Sequence, residues 1–466
     1  MLFFQKQRAL AFAAIVVTTI LIIGGIPLVS NAEYFNSLQH LIDYGRAKNV
    51  ILFIGDGMGD SEITIARNYS VGAAGRLALD TLTFTGEYTT YSLQESNPKL
   101  PDYVTDSAAS GTGWATGTKT SNGRISTTAG TDKDLKTILE LAQERGFATG
   151  DVSTAELTDA TPAVLVSHVS NRNCQGPQDM TSCPQDKKSA SGPGSIAEQS
   201  IDHGVDVFLG GGKQRYNQII DSGSFAGKTV IESAQAQGYQ VVTDAAGLQS
   251  AQPDKKLLGL FNSGNMSLEW GGESAVPFPG SGPQRCQEGL RLTNEPSLAE
   301  MTTKAIQLLE QRQGSQRSGK FRGFKGRTGF FLQVEGASID KRDHAGNPCE
   351  QIGETVAFDQ AIKVALDYAN RHQDTLIIVT GDHGHTSQII PNPTQTDYSP
   401  GKYSTLTTFD GAQMTINYAT NLPNNSQEHT GTQIRIAAQG PQAANVVGVI
   451  DQTDLFHIIS RAIGVE

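Results

Sequence analysis

Three acidic residues follow the three strongest candidate strands of the sequence. Asp56, Glu335 and Asp382 come after the runs VILFIG, FFLQV and TLIIVTG. If these runs are parallel strands of an open α/β sheet, their carboxyl ends form the edge where ligands bind. A single acid in this position is usually explained as a helix cap, but three of them would repel one another unless cations neutralised them. The pattern therefore predicts a metal site.

Histidines near these acids supply further candidate ligands. Asp340 and His344 are four residues apart, which on one turn of helix directs both side chains to the same ion, and His383 and His429 lie in the segments GDHGH and SQEHTG. Mixed aspartate and histidine ligands suit zinc, whereas carboxylate, hydroxyl and water ligands suit magnesium. The isolated histidines are interpreted as structural: His168, His203 and His457.

A hydroxyl stands beside a carboxylate at the head of the small-residue run TDSAASGTGWATGTKTSNG. One interpretation is that Ser107 or Thr105 caps a helix that ends at Gly117. The other is that Ser107 is a nucleophile at a helix N-terminus, where free N–H groups and the helix dipole favour an anion. The run by itself leaves both interpretations open.

Apolar periodicity predicts alternating strands and helices. Strands are expected at 49–54, 206–209, 330–334, 375–379 and 433–438. Helices are expected around Leu135–Ala142 with Gly146 as the stop, after the capping box of Ser297 and Glu300, and along the stripe from Phe358 to Tyr368. This alternation predicts an α/β fold: a three-layer sandwich with a large, mostly parallel central sheet and helices on both faces.

Composition narrows the function classes. A net charge of −11 argues against a nucleic-acid partner held by phosphate contacts.

Residues 1–32, with Lys6 and Arg8 ahead of a long apolar stretch, have the pattern of an export signal peptide; an uncleaved membrane anchor is the alternative. Residues 33–466 are expected to form a single domain. The basic segment 312–327 is interpreted as a solvated loop.

Four cysteines, an even number in a protein expected to be exported, indicate two disulfides. Four cysteines allow three pairings, which the sequence does not distinguish. We favour Cys174–Cys183, which closes a short polar loop and leaves Cys286–Cys349. Zinc binding by these cysteines is not expected because no pair has the spacing of a zinc motif.

Six motifs together resemble those of bacterial alkaline phosphatases, closely the enterobacterial periplasmic type. They are GDGMGDSE (55–62), DYVTDSAAS (102–110), STAELTDATPA (153–163), VEGASIDKRDHAGNPC (334–349), GDHGH (381–385) and SQEHTG (426–431). They occur in the family's order, and the resemblance runs from about Asn49 to the C-terminus.

The resemblance implies a role for each matching residue. It implies that Ser107 is the nucleophile that forms a phosphoserine, that Arg172 grips two phosphate oxygens and that Lys341 reaches phosphate through water. Two zinc ions are implied, one bound by Asp340, His344 and His429 and the other by Asp56, Asp382 and His383. One magnesium ion is implied near Asp56, held by Glu335 and Thr161, with Asp159 acting through water.

The resemblance also implies a periplasmic or secreted homodimer that releases phosphate from diverse phosphate monoesters. Membrane association is expected only if the N-terminal segment is retained.

Two other classes of protein are alternatives to a phosphomonoesterase. A phosphodiesterase, mutase or sulfatase would share the metal ligands but differ around Ser107. A non-catalytic phosphate- or metal-binding protein would be expected to lack Ser107 or some of the ligands, and all are present.

Overall fold

A computed structural model describes residues 45–312, 329–395 and 397–465. The strands are β1 Asn49–Gly55, β2 Phe84–Thr89, β3 Ser92–Gln94, β4 Asn97–Asp102, β5 Ala148–Glu156, β6 Val207–Gly211, β7 Tyr239–Val242, β8 Lys256–Leu260, β9 Val276–Pro277, β10 Ser281–Gln284, β11 Phe330–Gly336, β12 Thr375–Gly381, β13 Ser387–Ile390, β14 Lys402–Thr407, β15 Gln413–Tyr418, β16 Ile434–Gln439 and β17 Gly448–Asp451. The helices are α1 Asp60–Ser70, α2 Ser107–Thr116, α3 Ile138–Glu144, α4 Ala160–Val166, α5 Ile196–Asp202, α6 Lys213–Tyr216, α7 Val230–Ala236, α8 Ala245–Gln249, α9 Leu298–Arg312, α10 Ser338–Ala345, α11 Pro348–Ala369 and α12 Asp454–Ile463.

A ten-stranded sheet forms the centre of the molecule, with the strand order β17-β2-β16-β12-β1-β11-β5-β6-β8-β7. Its middle is parallel: β1 pairs in parallel with both β11 and β12, and β11 with β5. The strand β16 is antiparallel to both β12 and β2. The predicted large and mostly parallel sheet is therefore confirmed.

Alternate residues of the central strand β1 face two separate apolar layers. Val50, Leu52 and Ile54 pack in a cluster with buried residues of α2, α3, α4, α5 and α12. Ile51 and Phe53 pack in a second cluster with α1, α9 and α11. Because the run is apolar on both faces, helices cover the sheet on both sides. The structure thus has the predicted three layers.

A smaller sheet, absent from the prediction, has the order β10-β14-β15-β13, and β9 pairs with the edge of β14. Its inner residues pack beside α1 and α11 in a third apolar cluster.

The helix predicted after the Asp-Ser pair is present as α2, but its cap differs from the prediction. Neither Ser107 nor Thr105 is the N-cap: Ser107 is the first helical residue, and the side chain of Asp106 accepts the hydrogen bond from the Ala109 N–H. Gly117 ends the helix in the left-handed conformation, as predicted. With Asp106 as the cap, the Ser107 hydroxyl is not needed to begin the helix.

The structure contains both favoured disulfides, Cys174–Cys183 and Cys286–Cys349.

Residues from Gly45 onward form one compact unit. The predicted signal peptide at residues 1–32 and nearly all of the basic segment, residues 313–327, lie outside the described residues. Among the helices of the described ranges, none has the length and apolarity needed to cross a bilayer.

Candidate active site

The register of the central strands brings the three predicted acids together. Ile54 is level with Glu335, and Gly55 is level with both Gly336 and Gly381, so that Asp56 and Asp382 follow at the same edge. All three carboxyl groups are buried. Burial raises the pKa of Glu335 to about 7 and that of Asp382 to about 6. Burial, with the charges of Asp382 and Asp340, also raises the pKa of Asp56. A nearby cation is what would keep all three ionised.

His383 joins Asp56 and Asp382 in one cluster. Its Nε2 atom lies 3.4 Å from Oδ1 of Asp56 and 3.2 Å from Oδ2 of Asp382. The other oxygen of Asp382 accepts hydrogen bonds from the N–H groups of Gly57, at 2.8 Å, and His383, at 2.9 Å. These bonds fix the carboxylate while leaving Oδ2 directed at the histidine. The structure thus brings one predicted ligand set together.

Asp340 is the centre of a second cluster. Its Oδ1 atom lies 3.3 Å from Nε2 of His344, four residues later in α10, and 3.2 Å from Nε2 of His429. Nδ1 of His429 lies 3.1 Å from the carbonyl oxygen of Thr105, and Nδ1 of His344 contacts the carbonyl oxygen of Gln427. A carbonyl at Nδ1 places the proton there and leaves Nε2 free to bind a metal.

His385, which was not among the predicted ligands, also belongs to this second cluster. Its Nε2 atom lies 3.0 Å from Oδ1 of Asp340, closer than either predicted histidine. The cluster of four side chains is Asp340, His344, His385 and His429. The motif GDHGH could have indicated His385. It lies two residues after His383 and follows the end of the same strand, β12.

Ser107 lies against the first cluster, at the start of α2. Its Oγ atom is 3.4 Å from Oδ1 of Asp56 and 3.3 Å from Nε2 of His383. The small residues that follow allow close packing: a Cβ atom at Gly111 would lie 2.9 Å from the side chain of Val164 in α4. One turn after the nucleophile candidate, Ser110 Oγ donates a hydrogen bond of 2.8 Å to the carbonyl oxygen of Asp382. The small residues of the run therefore allow α2 to pack closely against α4, and Ser110 joins the helix to Asp382.

Two cations converge on Asp159, the N-cap of α4. Nη2 of Arg172 lies 2.9 Å from its Oδ1 atom, and Nζ of Lys341 lies 3.0 Å from its Oδ2 atom. Arg172 also contacts Asp106, with Nη1 at 3.1 Å from Oδ2. Burial opposes ionisation of Asp159, but the charges of Lys341 and Arg172 outweigh it and lower its pKa. Asp106 was not among the residues predicted for the site.

Thr161, two residues after Asp159, is buried near Glu335, the last of the three acids at this edge of the sheet. Burial raises the pKa of Glu335, while the charge of Lys341, the hydrogen bond from Ser153 and the nearby hydroxyl of Thr161 act in the opposite direction. The carbonyl oxygen of Thr161 accepts a bond of 2.9 Å from Gln333, which ties α4 to β11. The candidate ligands at this position, the Glu335 carboxylate and the Thr161 hydroxyl, offer only oxygen atoms, a donor set that suits magnesium.

Two groups of possible metal ligands share Asp340: the four-residue cluster, and the group of Asp56, Asp340 and His383. Two cations bound there would be neighbours, with Ser107 beside one of them. Such a pair, with an arginine nearby, can stabilise the attacking and leaving oxygens of a displacement at phosphorus.

The sequence is similar to that of a known family along most of its length. A family model described as alkaline phosphatase matches residues 47–421 and 412–465. The chain belongs to the alkaline phosphatase family. It is 50% identical over 435 residues to the alkaline phosphatase of Escherichia coli, a match that covers 90% of this chain and 87% of that protein. It is 51% identical over 421 residues to streptomycin-6-phosphate phosphatase of Streptomyces griseus, covering 90% and 91%.

Solved alkaline phosphatases share the fold. The structure of the enzyme from the Antarctic bacterium TAB5 matches with a TM-score of 0.64 at 25% identity, covering 90% of this chain and 98% of that one. The enzyme of Thermus thermophilus matches with a TM-score of 0.65 at 24% identity, covering 91% and 92%. Alkaline phosphatases are metal-dependent, and membership of the family makes this chain a phosphomonoesterase.

Proposed function

We propose that this alkaline phosphatase releases inorganic phosphate from diverse monoesters through a phosphoserine on Ser107, with two zinc ions and one magnesium ion. The observation that carries the proposal is the position of the Ser107 hydroxyl, whose oxygen lies within 3.4 Å of both Asp56 and His383. A hydroxyl in contact with two candidate metal ligands can reach an ion that they hold.

The donor atoms of the chain fit three ions of two kinds. Nitrogen and carboxylate donors of Asp340, His344 and His429 suit one zinc ion, and those of Asp56, Asp382 and His383 suit the other. His385 differs from these ligands: its Nδ1 atom accepts the N–H of Thr386 at 2.9 Å, so that Nε2 of the neutral ring carries the proton and donates to Asp340. Glu335 and Thr161, with Asp56 between the sites and Asp159 through water, offer the oxygen donors that magnesium prefers. The upward pKa shifts of Asp56, Glu335 and Asp382 support this assignment because bound cations would restore their charge.

The reaction then proceeds in two displacements. When bound, the metal ions stabilise the negative charge on the attacking and leaving oxygens. Ser107 releases its hydroxyl proton to solvent and its Oγ atom bonds to phosphorus, while the bond to the ester oxygen breaks and the alcohol leaves with a proton from water. Water then attacks phosphorus, the bond to Ser107 breaks, and the serine takes up a proton. Arg172 binds the phosphoryl oxygens through both steps. Each in-line displacement inverts the configuration at phosphorus, so the two steps together retain it.

In this mechanism Ser107, Arg172 and the metal ions act on the phosphoryl group and not on the carbon skeleton of the alcohol. This supports a broad range of monoester substrates. The name of the Streptomyces griseus relative gives it the monoester streptomycin-6-phosphate as substrate. A monoester of that class is therefore a natural comparison substrate. A phosphodiesterase function would require a second ester group to be accommodated beside Arg172.

We also propose that the enzyme is exported to the periplasm or secreted as a homodimer. The signal-like pattern of residues 1–32 and the two disulfides support an oxidising compartment. Residues 33–466 are proposed to form one catalytic domain. Dimerisation rests on the family resemblance.

An assay on metal-analysed protein tests the proposal. The purified enzyme should hydrolyse p-nitrophenyl phosphate at alkaline pH far faster than the diester bis-p-nitrophenyl phosphate. Chelation should abolish turnover, and zinc with magnesium should restore it. Full activity in rigorously zinc-free protein, or a preference for the diester, would contradict the proposal.

A further inference from the structure

Two of the histidines that the sequence left isolated meet at one carboxylate. Glu140 belongs to α3, His168 follows the end of α4, and His203 follows the end of α5. Nε2 of His203 lies 3.1 Å from Oε1 of Glu140, and Nε2 of His168 lies 3.5 Å from the same oxygen. None of the three belongs to the candidate active site.

Backbone carbonyls fix the orientation of both rings. Nδ1 of His168 lies 3.1 Å from the carbonyl oxygen of Ser126, and Nδ1 of His203 lies 2.9 Å from that of Gln199. Because each carbonyl accepts a hydrogen bond, each neutral ring carries its proton on Nδ1 and directs the lone pair of Nε2 at Oε1 of Glu140. A carbonyl partner at the far nitrogen is the usual arrangement of a histidine that binds a metal.

The distances from the Glu140 oxygen to the two imidazole nitrogens also suit a metal, and all three donor atoms lie within 4.8 Å of one another. Zinc bonds of about 2.0–2.1 Å in tetrahedral geometry place ligand atoms roughly 3.3–3.4 Å apart. The two distances to Glu140 Oε1, 3.1 and 3.5 Å, lie on either side of that value. The Asp340 cluster of the active site has distances of 3.0 to 3.3 Å between its carboxylate oxygen and imidazole nitrogens. The two clusters therefore have closely similar ligand spacing.

We propose that Glu140, His168 and His203 form an additional transition-metal site that takes zinc or an ion of similar chemistry. The side chains of Glu140 and His203 are 22% and 21% exposed, so an ion has access from solvent and water can complete its coordination. The other oxygen of Glu140 accepts the N–H of Thr137 at 2.7 Å, which holds the carboxylate in place at the start of α3.

The site would join the ends of three helices. The helix α4 begins at its cap Asp159 in the active site and ends just before His168. An ion held by His168 therefore anchors the opposite end of the helix that carries Thr161. We expect the ion to stabilise the folded enzyme, since a ligand that binds only the native state raises the unfolding midpoint. Turnover of the enzyme saturated with active-site metals should be unchanged.

A proton is the competing occupant. Burial lowers the pKa of His168, but the hydrogen bond and charge of Glu140, with the charge of Asp134, outweigh burial and raise it. A protonated His168 would form an ion pair with Glu140 and leave no place for a metal. The number of zinc ions bound per chain distinguishes the metal from the proton.

The experiment is equilibrium dialysis of the zinc- and magnesium-loaded enzyme against micromolar zinc, followed by elemental analysis. We expect the wild type to retain one zinc ion per chain more than the His203→Gln variant, and zinc to raise the thermal midpoint of the wild type only. Glu140→Gln is a second variant, because glutamine also serves at this position of a capping box and should preserve α3. It too should lose one ion.

His372→Gln is the matched control. Nε2 of His372 lies 3.6 Å from Oε1 of Glu310, a histidine–carboxylate pair for which the described residues show no third ligand. This variant should keep the zinc content of the wild type. Equal zinc content in the wild type and in both folded cluster variants would overturn the proposal.

Discussion

Oδ2 of Asp106 lies 3.1 Å from Nη1 of Arg172. The same carboxylate caps the helix that begins at Ser107, with Oδ1 accepting the N–H of Ala109 at 2.9 Å. One side chain therefore sets both the start of the helix that begins with the proposed nucleophile and the direction of the arginine proposed to bind phosphate. The two roles can be separated because asparagine also caps helices but carries no charge.

We predict that Asp106→Asn and Asp106→Ala both raise the KM and the inhibition constant of inorganic phosphate several-fold, because Arg172 loses an ionic partner that orients it. Only the alanine variant should also lose about 1 kcal/mol of stability, the usual contribution of an N-cap. Steady-state kinetics with phosphate inhibition and thermal unfolding measure the two effects. An unchanged phosphate inhibition constant in Asp106→Asn would show that Arg172 is oriented without this carboxylate.

Replacing Ser107 by alanine should abolish the covalent intermediate. The change removes one oxygen from a helix whose cap is Asp106, so fold and metal content should be retained. We expect that radiolabelled phosphate, trapped on the protein by acid, labels the wild type and not Ser107→Ala.

Ser110→Ala is the control for this experiment. Ser110 lies one turn further along the same helix and donates to the carbonyl oxygen of Asp382 at 2.8 Å. Its variant should still be labelled. Equal labelling of the wild type and Ser107→Ala would mean that another residue is the nucleophile.

Continuous apolar runs predicted the parts of the fold that are buried on both faces. The strands β1, β11 and β12 occur where the sequence indicated, and their register explains why Asp56, Glu335 and Asp382 meet. The strand β5 was missed because Asp151 and Ser153 interrupt its apolar pattern although both are buried. Hydropathy does not register a polar residue that is buried with a hydrogen-bond partner.

Site residues could be predicted where they lie in a recognisable motif or directly after a strand, but contacts between distant parts of the chain could not. His383 was recognised because it follows a strand directly, whereas His385 joins Asp340 through a turn that no periodicity describes. The contact of Asp106 with Arg172 joins residues 66 positions apart. The group of Glu140, His168 and His203 depends on how three short helices end, which sequence patterns define poorly.

Glu354, in α11, should make stability depend on pH. Burial raises its pKa from 4.5 to about 8; the hydrogen bond from the Glu269 N–H opposes this shift and the Glu269 charge adds to it. An acid with a raised folded-state pKa contributes stability that is complete below the unfolded pKa and is lost as the pH rises through the folded pKa. This contribution is therefore lost between about pH 4.5 and pH 8.

Glu354→Gln removes the titration. We predict that its thermal midpoint, relative to the wild type, rises between about pH 5 and about pH 9, by the equivalent of a few kcal/mol. Glu350→Gln is the control on the same helix, since Glu350 is only partly buried and pairs with Arg342 at 3.2 Å. A difference between Glu354→Gln and the wild type that does not change with pH would show that Glu354 does not titrate in this range.

Lys341 neutralises the carboxylate of Asp159, to which its Nζ atom lies 3.0 Å away. Its charge also acts to lower the pKa of buried Glu335. Lys341→Ala should therefore have two opposite effects. Phosphate binding should weaken several-fold, because the loss of a charge contact through water corresponds to about 1 kcal/mol. Magnesium should bind more tightly, because Asp159 and Glu335 lose a competing positive charge.

Phosphate inhibition of the fully metallated variant and magnesium titration measure these effects separately. If product release limits turnover at alkaline pH, kcat should stay level or rise while KM increases. Lys363→Ala is the matched control, since Lys363 is an exposed lysine that pairs with Asp367 and should leave both constants unchanged. Magnesium affinity is the more specific readout, because a lysine that only attracted substrate from the surface would not alter it. An unchanged phosphate inhibition constant together with unchanged magnesium binding would place Lys341 outside the site.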